Sequence, residues 1–251
     1  MIPIRRLDLP AAAESKLAVL TAEVEKSGQR IRTAKLAWKR ETFRRDAYAP
    51  ALAKLKEMAP GHECCMYCGQ DLADHVDHYV PINFDPLRAF LWLNYLLACS
   101  TCNSRFKKEL HDVDDVTGVP LLVNPTVDDP FAHLHLVLTT GEYCGLTRRG
   151  DYTIATCGLN AGKRPAARRH ALDVMSLALD KWWKAKEDGA PEGISNALSV
   201  IRDQPFAGVF QAMLRQAVTG QADLLFAGID DGRLLHILRS PGVQNELKAS
   251  T

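Results

Sequence analysis

The chain has 251 residues, 47% hydrophobic and 24% charged, and its 31 basic residues nearly cancel 30 acidic ones to leave a formal net charge of +1. That profile is of one large or two small folded domains and excludes intrinsic disorder; it also excludes bulk charge as a source of nucleic-acid affinity, which has to come from local clusters. Seven cysteines, four at metal-ligand spacing and three (Cys64, Cys144, Cys157) without a framework, together with an N-terminus lacking an apolar h-region, give the expectation of a reducing, cytoplasmic setting with no membrane association.

After an extended start ending at Pro10, residues 11–29 and 31–58 are rich in Ala, Leu, Lys and Glu and predict two helices, the second kinked or split at Pro50. From 30 to 46 the chain carries Arg30, Arg32, Lys35, Lys39, Arg40, Arg44 and Arg45 against only Glu41 and Asp46. Lys35 and Lys39 fall at helical spacing, a stripe able to follow a phosphate backbone, although a solvated helix face gives the same pattern. Trp38 and Tyr48 fit a core equally well.

The stretch from Cys64 to Lys108 carries the chemistry. Cys65-x-x-Cys68 and Cys99-x-x-Cys102 are two knuckles of the kind that close a tetrahedral zinc site, and Cys65 is preferred to Cys64 because of its two-residue spacing to Cys68. The intervening residues 69–98 must hold structure of their own. Val76–Pro81 reads as a short strand with Asp77 beside His78, Asn94 interrupts the apolar run Phe90–Leu97, and Asn103 follows the last cysteine directly. Neighbouring side chains on a strand face opposite ways, so Asp77 and His78 reach one site only if the strand bends there, as Pro81 and the turn-rich Asn83–Pro86 allow. His75 reads as a surface or supporting residue. Arg105, Lys107 and Lys108 add positive charge behind the second knuckle and are candidate nucleic-acid contacts.

This order, an Asp-His pair, an Asn sixteen residues past the His and then Cys-x-x-Cys-Asn, resembles the HNH endonuclease motif in its zinc-stapled form. The resemblance implies the ββα-metal fold, with His78 as general base, Asp77 and Asn103 as ligands of a catalytic divalent ion (Mg2+ or Mn2+), and Asn94 orienting the His loop. The chemistry is consistent: hydrolysing a phosphodiester needs a base to make hydroxide and a cation to neutralise the leaving oxygen. Zinc on Cys102 would fix the first turn of the last helix, and Asn103 with it.

Between Glu109 and Pro130 the chain is acidic and loop-like, a natural boundary. Leu134, Leu136 and Leu138 alternate with His133, His135 and Val137 as in a strand; a turn at Thr140-Gly141, a second strand to Leu146, a turn at Arg149-Gly150-Asp151 and a third strand over Tyr152–Thr156 complete an expected small antiparallel sheet. Helices are expected over 164–187, 192–203 and 206–218, and a helix or two with a polar tail beyond. Arg148, Arg149, Lys163, Arg164, Arg168 and Arg169 against Asp151 form a second basic strip, with Arg168 and Arg169 as candidate phosphate contacts. Trp182, Trp183, Phe206, Phe210 and Leu214 fit either a partner-docking face or a core.

The flanks carry a further likeness. The start MIPIRR, then Leu122-Val123-Asn124-Pro125, Asp129-Pro130-Phe131, Gly158-Leu159-Asn160 and Arg168-Arg169 resemble the HNH partner proteins of Septu and retron-associated anti-phage systems over roughly residues 1–185. That resemblance implies an ATPase partner and nucleic acid as target. The expected fold is α+β: a mostly helical chain around a zinc-stapled ββα core, in regions 1–60, 61–110, 111–160 and 161–251. The expected activity is a metal-dependent endonuclease, with DNA favoured over RNA. A zinc deaminase is disfavoured because its motif fails at both ends: His78 opens His-Tyr-Val and Ala98 precedes Cys99. A noncatalytic zinc-binding adaptor remains the alternative.

Overall fold

Helix-forming composition at the N-terminus gives α1 (Ala11–Lys26) and α2 (Arg30–Trp38), separated by the Ser27–Gln29 turn in the computed structural model, which describes residues 1–70, 72–229, 232–241 and 243–250. The expected second helix breaks at Lys39–Arg40 rather than at Pro50. It resumes as α3 (Glu41–Phe43), a π-helical turn (Arg44–Tyr48) and α4 (Ala49–Met58), with Pro50 in the first turn of α4. Pro50 has no N–H to give to the preceding turn, and the wide π turn ahead of it takes up that missing bond and the bulk of the ring, so the helix continues where a kink was expected.

The architecture is α+β, mostly helical with two small antiparallel sheets. In the first, β1 (His75–His78) pairs with β2 (Tyr95–Ala98), His75 opposite Ala98 and His78 opposite Tyr95. β2 leads through the second cysteine knuckle into a π-helical turn, Thr101–Lys107. The first knuckle docks on this ribbon, Met66 N donating to Leu97 O at 2.9 Å. In the second sheet β3 (Leu134–Val137) pairs with β4 (Glu142–Gly145).

The expected third strand is instead α5 (Arg148–Cys157). Tyr152-Thr-Ile-Ala-Thr has strand-like residues, but Thr147 caps the segment by accepting from Gly150 N at 3.2 Å, and Gly158 ends it at φ 57°. Tertiary contact fixes the choice. A Cβ on Gly150 would lie 1.9 Å from His133 O, and one on Gly158 would lie 2.6 Å from the Phe106 ring, so α5 sits hard against both the second sheet and the turn that follows the cysteines. The acidic connection is loop-like as expected, apart from an isolated bridge between Val113 and Pro120, and is anchored on α5: Leu122 and Val123 are buried, and Val123 N donates to Thr153 Oγ1 at 2.9 Å.

The C-terminal part consists of α6 (Arg164–Glu187), α7 (Pro191–Asp203), α8 (Gly208–Gln216) and the shorter α9 (Ala222–Phe226), α10 (Arg233–Arg239) and α11 (Val243–Ser250). Trp182, Phe210 and Leu214 are fully or almost fully buried in the core, and Trp183 and Phe206 pack partly buried against it. Of the two roles expected for these side chains, they serve the core. No helix among the described residues is long and apolar enough to cross a membrane.

Candidate metal centre and adjoining cavity

The four expected cysteines converge. Cys65, Cys68, Cys99 and Cys102 are all buried, and their Sγ atoms lie within 4.8 Å of one another. A tetrahedron with Zn–S arms of about 2.3 Å has edges of about 3.8 Å. Cys68 Sγ and Cys99 Sγ are 3.8 Å apart, too far for a disulfide and right for a shared ion. Cys64 is buried outside the group. Burial pushes the Cys65 thiol well up, so a thiolate there needs a compensating cation. Arg164, at the first turn of α6, donates to Cys102 Sγ at 3.3 Å and to Cys99 Sγ at 3.8 Å and offsets part of a four-thiolate charge. These residues could hold zinc, and they tie it to α6 as well as to the ribbon.

Beside this cluster, at the end of β1, lies a cavity of about 240 Å3 whose walls include Asp77, His78 and Asn103 together with Trp38 and Lys35 of α2 and Lys108 and Glu109. Both members of the Asp-His pair border it, His78 where the chain bends after β1, while the Asp77 carboxylate is turned inward to Tyr67 and Lys107. The bend is pinned by Asn94, whose amide accepts from Val80 N at 2.8 Å and donates to Val80 O at 3.0 Å and Arg88 O at 2.9 Å. His78 is walled by Trp38 (ring centroids 4.3 Å apart) and Tyr95 (5.4 Å). Its Nε2 lies 3.0 Å from Ala89 O. A carbonyl only accepts, so Nε2 carries the proton of the neutral ring and Nδ1 keeps the basic lone pair. Burial pushes the imidazole down to about 4, with nearby Lys107 adding to the effect against the Ala89 bond, so the ring is neutral at pH 7.

Asp77 is 2% exposed, and both of its oxygens already have donors: Tyr67 Oη at 2.6 Å and Lys107 Nζ at 3.1 Å. Lys107, 0% exposed, also donates to His78 O at 2.7 Å. Burial raises the Asp77 carboxyl against the pull of Lys107 and Tyr67. Both carboxylate oxygens are thus already taken, and the Lys107 ammonium cancels the charge that would draw a divalent ion to Asp77. The Mg2+ or Mn2+ expected on Asp77 and Asn103 therefore does not fit while this pair stands. Asn103 itself is half-buried and lines the cavity.

Protein-family models, curated proteins and solved structures yield no match to this chain.

The candidate nucleic-acid contacts divide. Lys35 and Lys108 line the cavity, and Lys39 and Arg105 are exposed. Lys107 does not belong with them, because its buried ammonium is spent on Asp77 and His78. Arg168 is 1% exposed and donates to Gly141 O at 2.5 Å and Leu159 O at 2.9 Å, so it staples α6 to the second sheet instead of meeting phosphate. Arg169 is half-buried and donates to Thr139 O. Sequence reading missed Tyr67 as the partner of Asp77, although it sits inside the first knuckle, and missed Glu109, which pairs with Lys35 at 3.8 Å and accepts from Asn83 at the exposed side of the cavity. Nothing in the local pattern marked either.

Proposed function

We propose that the chain is an HNH-type endonuclease that hydrolyses phosphodiester bonds of nucleic acid, DNA favoured, as an effector acting with an ATPase partner in anti-phage defence. One observation carries the reading: a single cavity is lined by Asp77, His78 and Asn103, on a ββ ribbon and turn that a four-cysteine cluster pins together. In this scheme the neutral His78 takes a proton from water at Nδ1, and Asn94 holds the loop that aims the ring. Lys35 and Lys108 receive the phosphate and offset its charge. Zinc, on Cys65, Cys68, Cys99 and Cys102, is structural. The expected dependence on Mg2+ or Mn2+ belongs to the proposal, but no step is assigned to that ion at Asp77. The partner and the defence role rest on the likeness of the flanking motifs alone.

The buried Lys107–Asp77 pair favours a second reading, a zinc-stapled nucleic-acid-binding module that does not cleave. Incubating the purified chain with plasmid DNA and with total RNA, in Mg2+ or Mn2+ and with or without an ATPase encoded beside it, separates the two. Cleavage that His78→Ala reduces by about 10² or more supports the nuclease. Cleavage that the variant leaves at the wild-type rate removes His78 as base. Binding without cleavage under every condition favours the adaptor.

A further inference from the structure

A second and larger depression, about 970 Å3, opens next to the cavity between the start of α2 and the loop that follows β1. Arg30, Ile31, Arg32, Lys35, Leu36 and Pro86 line it. Lys35 lines both spaces, so the depression and the cavity are neighbours along one face of α2. Ile31 and Trp38 are seven residues apart, two helical turns or about 10 Å of rise, and Trp38 packs on His78. At about 3.4 Å per nucleotide along a stacked strand, that distance places the groove roughly three nucleotides from the imidazole.

The groove combines two chemistries. Its floor is apolar and exposed, Ile31 at 42% and Leu36 at 55%. Its rim is cationic and uncompensated: Arg30 donates only to Glu25 O and Arg32 only to Gln29 Oε1, and among the described residues neither meets a carboxylate. A duplex offers phosphates to such a rim but keeps its base faces stacked, so the apolar floor would stay wet. An unpaired strand offers both, its backbone to the guanidinium groups and its base faces to the floor. Resting on the nuclease reading above, we infer that this groove takes an unpaired nucleic-acid segment flanking the scissile phosphate, so that the substrate is single-stranded, or locally melted, next to the cut.

Fluorescence anisotropy of the full zinc-loaded chain, without added divalent ion, tests this with a labelled 20-nucleotide DNA, the RNA of the same sequence and the blunt DNA duplex. At least one single strand is expected to bind ten-fold or more tightly than the duplex, and the DNA and RNA arms identify which. Ile31→Ser and, independently, Leu36→Ser should erase that preference while leaving duplex binding and the thermal melt unchanged, since both side chains face solvent and neither substitution adds charge to the rim. Equal affinity for duplex and single strands, or a preference that survives both substitutions, overturns the groove assignment and leaves the nuclease reading intact. Failure to bind any of the three overturns the groove assignment, and failure that persists when Mn2+ is added overturns the nuclease reading as well.

Discussion

Replacing Lys107 by methionine keeps the unbranched shape of the side chain, one atom shorter, and removes its charge, leaving Asp77 buried beside Tyr67 alone. The carboxyl then folds protonated. Relative to an unfolded carboxyl near 3.9, neutralising it costs about 1.4 kcal/mol per pH unit, or about 3 kcal/mol at pH 6 and about 4 kcal/mol at pH 7. The sign follows from proton counting: the folded variant holds a proton that the unfolded chain has released, so its stability falls as pH rises. For a chain of this size the loss at pH 7 corresponds to roughly 8–16 °C in melting temperature. Urea titrations of wild type and Lys107→Met at pH 6, 7 and 8 measure the difference, and effects common to both proteins, such as zinc binding, cancel in it. Adding Asp77→Asn to Lys107→Met should recover much of the loss, because no buried charge then lacks a partner. A penalty under about 1 kcal/mol, or one that does not grow with pH, would show that the pair is not an ionised ammonium–carboxylate contact.

Metal analysis should find one zinc per chain, and Cys99→Ser should give insoluble or partly unfolded protein; soluble, well-folded, zinc-free wild type would refute the cluster as a zinc site. Asn94→Ala removes three hydrogen bonds, two of them buried, and should cost about 2–4 kcal/mol while speeding hydrogen exchange at Val80. Unchanged exchange there would mean that the loop is held by something else. Arg168→Ala should lower stability without weakening nucleic-acid binding, whereas Lys35→Glu should do the reverse; a matched loss of affinity in both would restore Arg168 as a phosphate contact.

The cysteine spacing made the metal cluster legible, because two knuckles at two-residue spacing have few other uses. Asp77, His78 and Asn103 were legible as a set only through the motif they resemble, and the bend after β1 is held by Asn94, which lies sixteen residues past His78 in sequence. What could not be read was which charges are spent internally. Lys107 and Arg168 look like neighbouring surface cations along the chain, yet a π-helical turn carries one beneath β1 and the packing of α6 on the second sheet buries the other. The same limit explains α5. Tyr152–Thr156 has the β-branched residues of a strand, and what decides for helix is a cap at Thr147 together with the close approach of Gly150 to His133, a contact made only in the folded chain.

Trp38 against His78 has a consequence for modularity. The walls of the cavity come from α2 as well as from the stapled ribbon, and Arg6 of the N-terminal segment ties itself to β2 by donating to Tyr95 O at 2.9 Å. Tyr79 Oη is fastened to Leu122 O at 2.6 Å in the connection beyond. A cassette of residues 61–110 moved into another protein would carry every residue of the motif and still leave the imidazole open to water on the side that Trp38 covers. Its basicity would then return toward that of an ordinary histidine. The flanking helices therefore act as part of the solvent of the site, and transplanting the motif without them would transplant its sequence but not its chemistry.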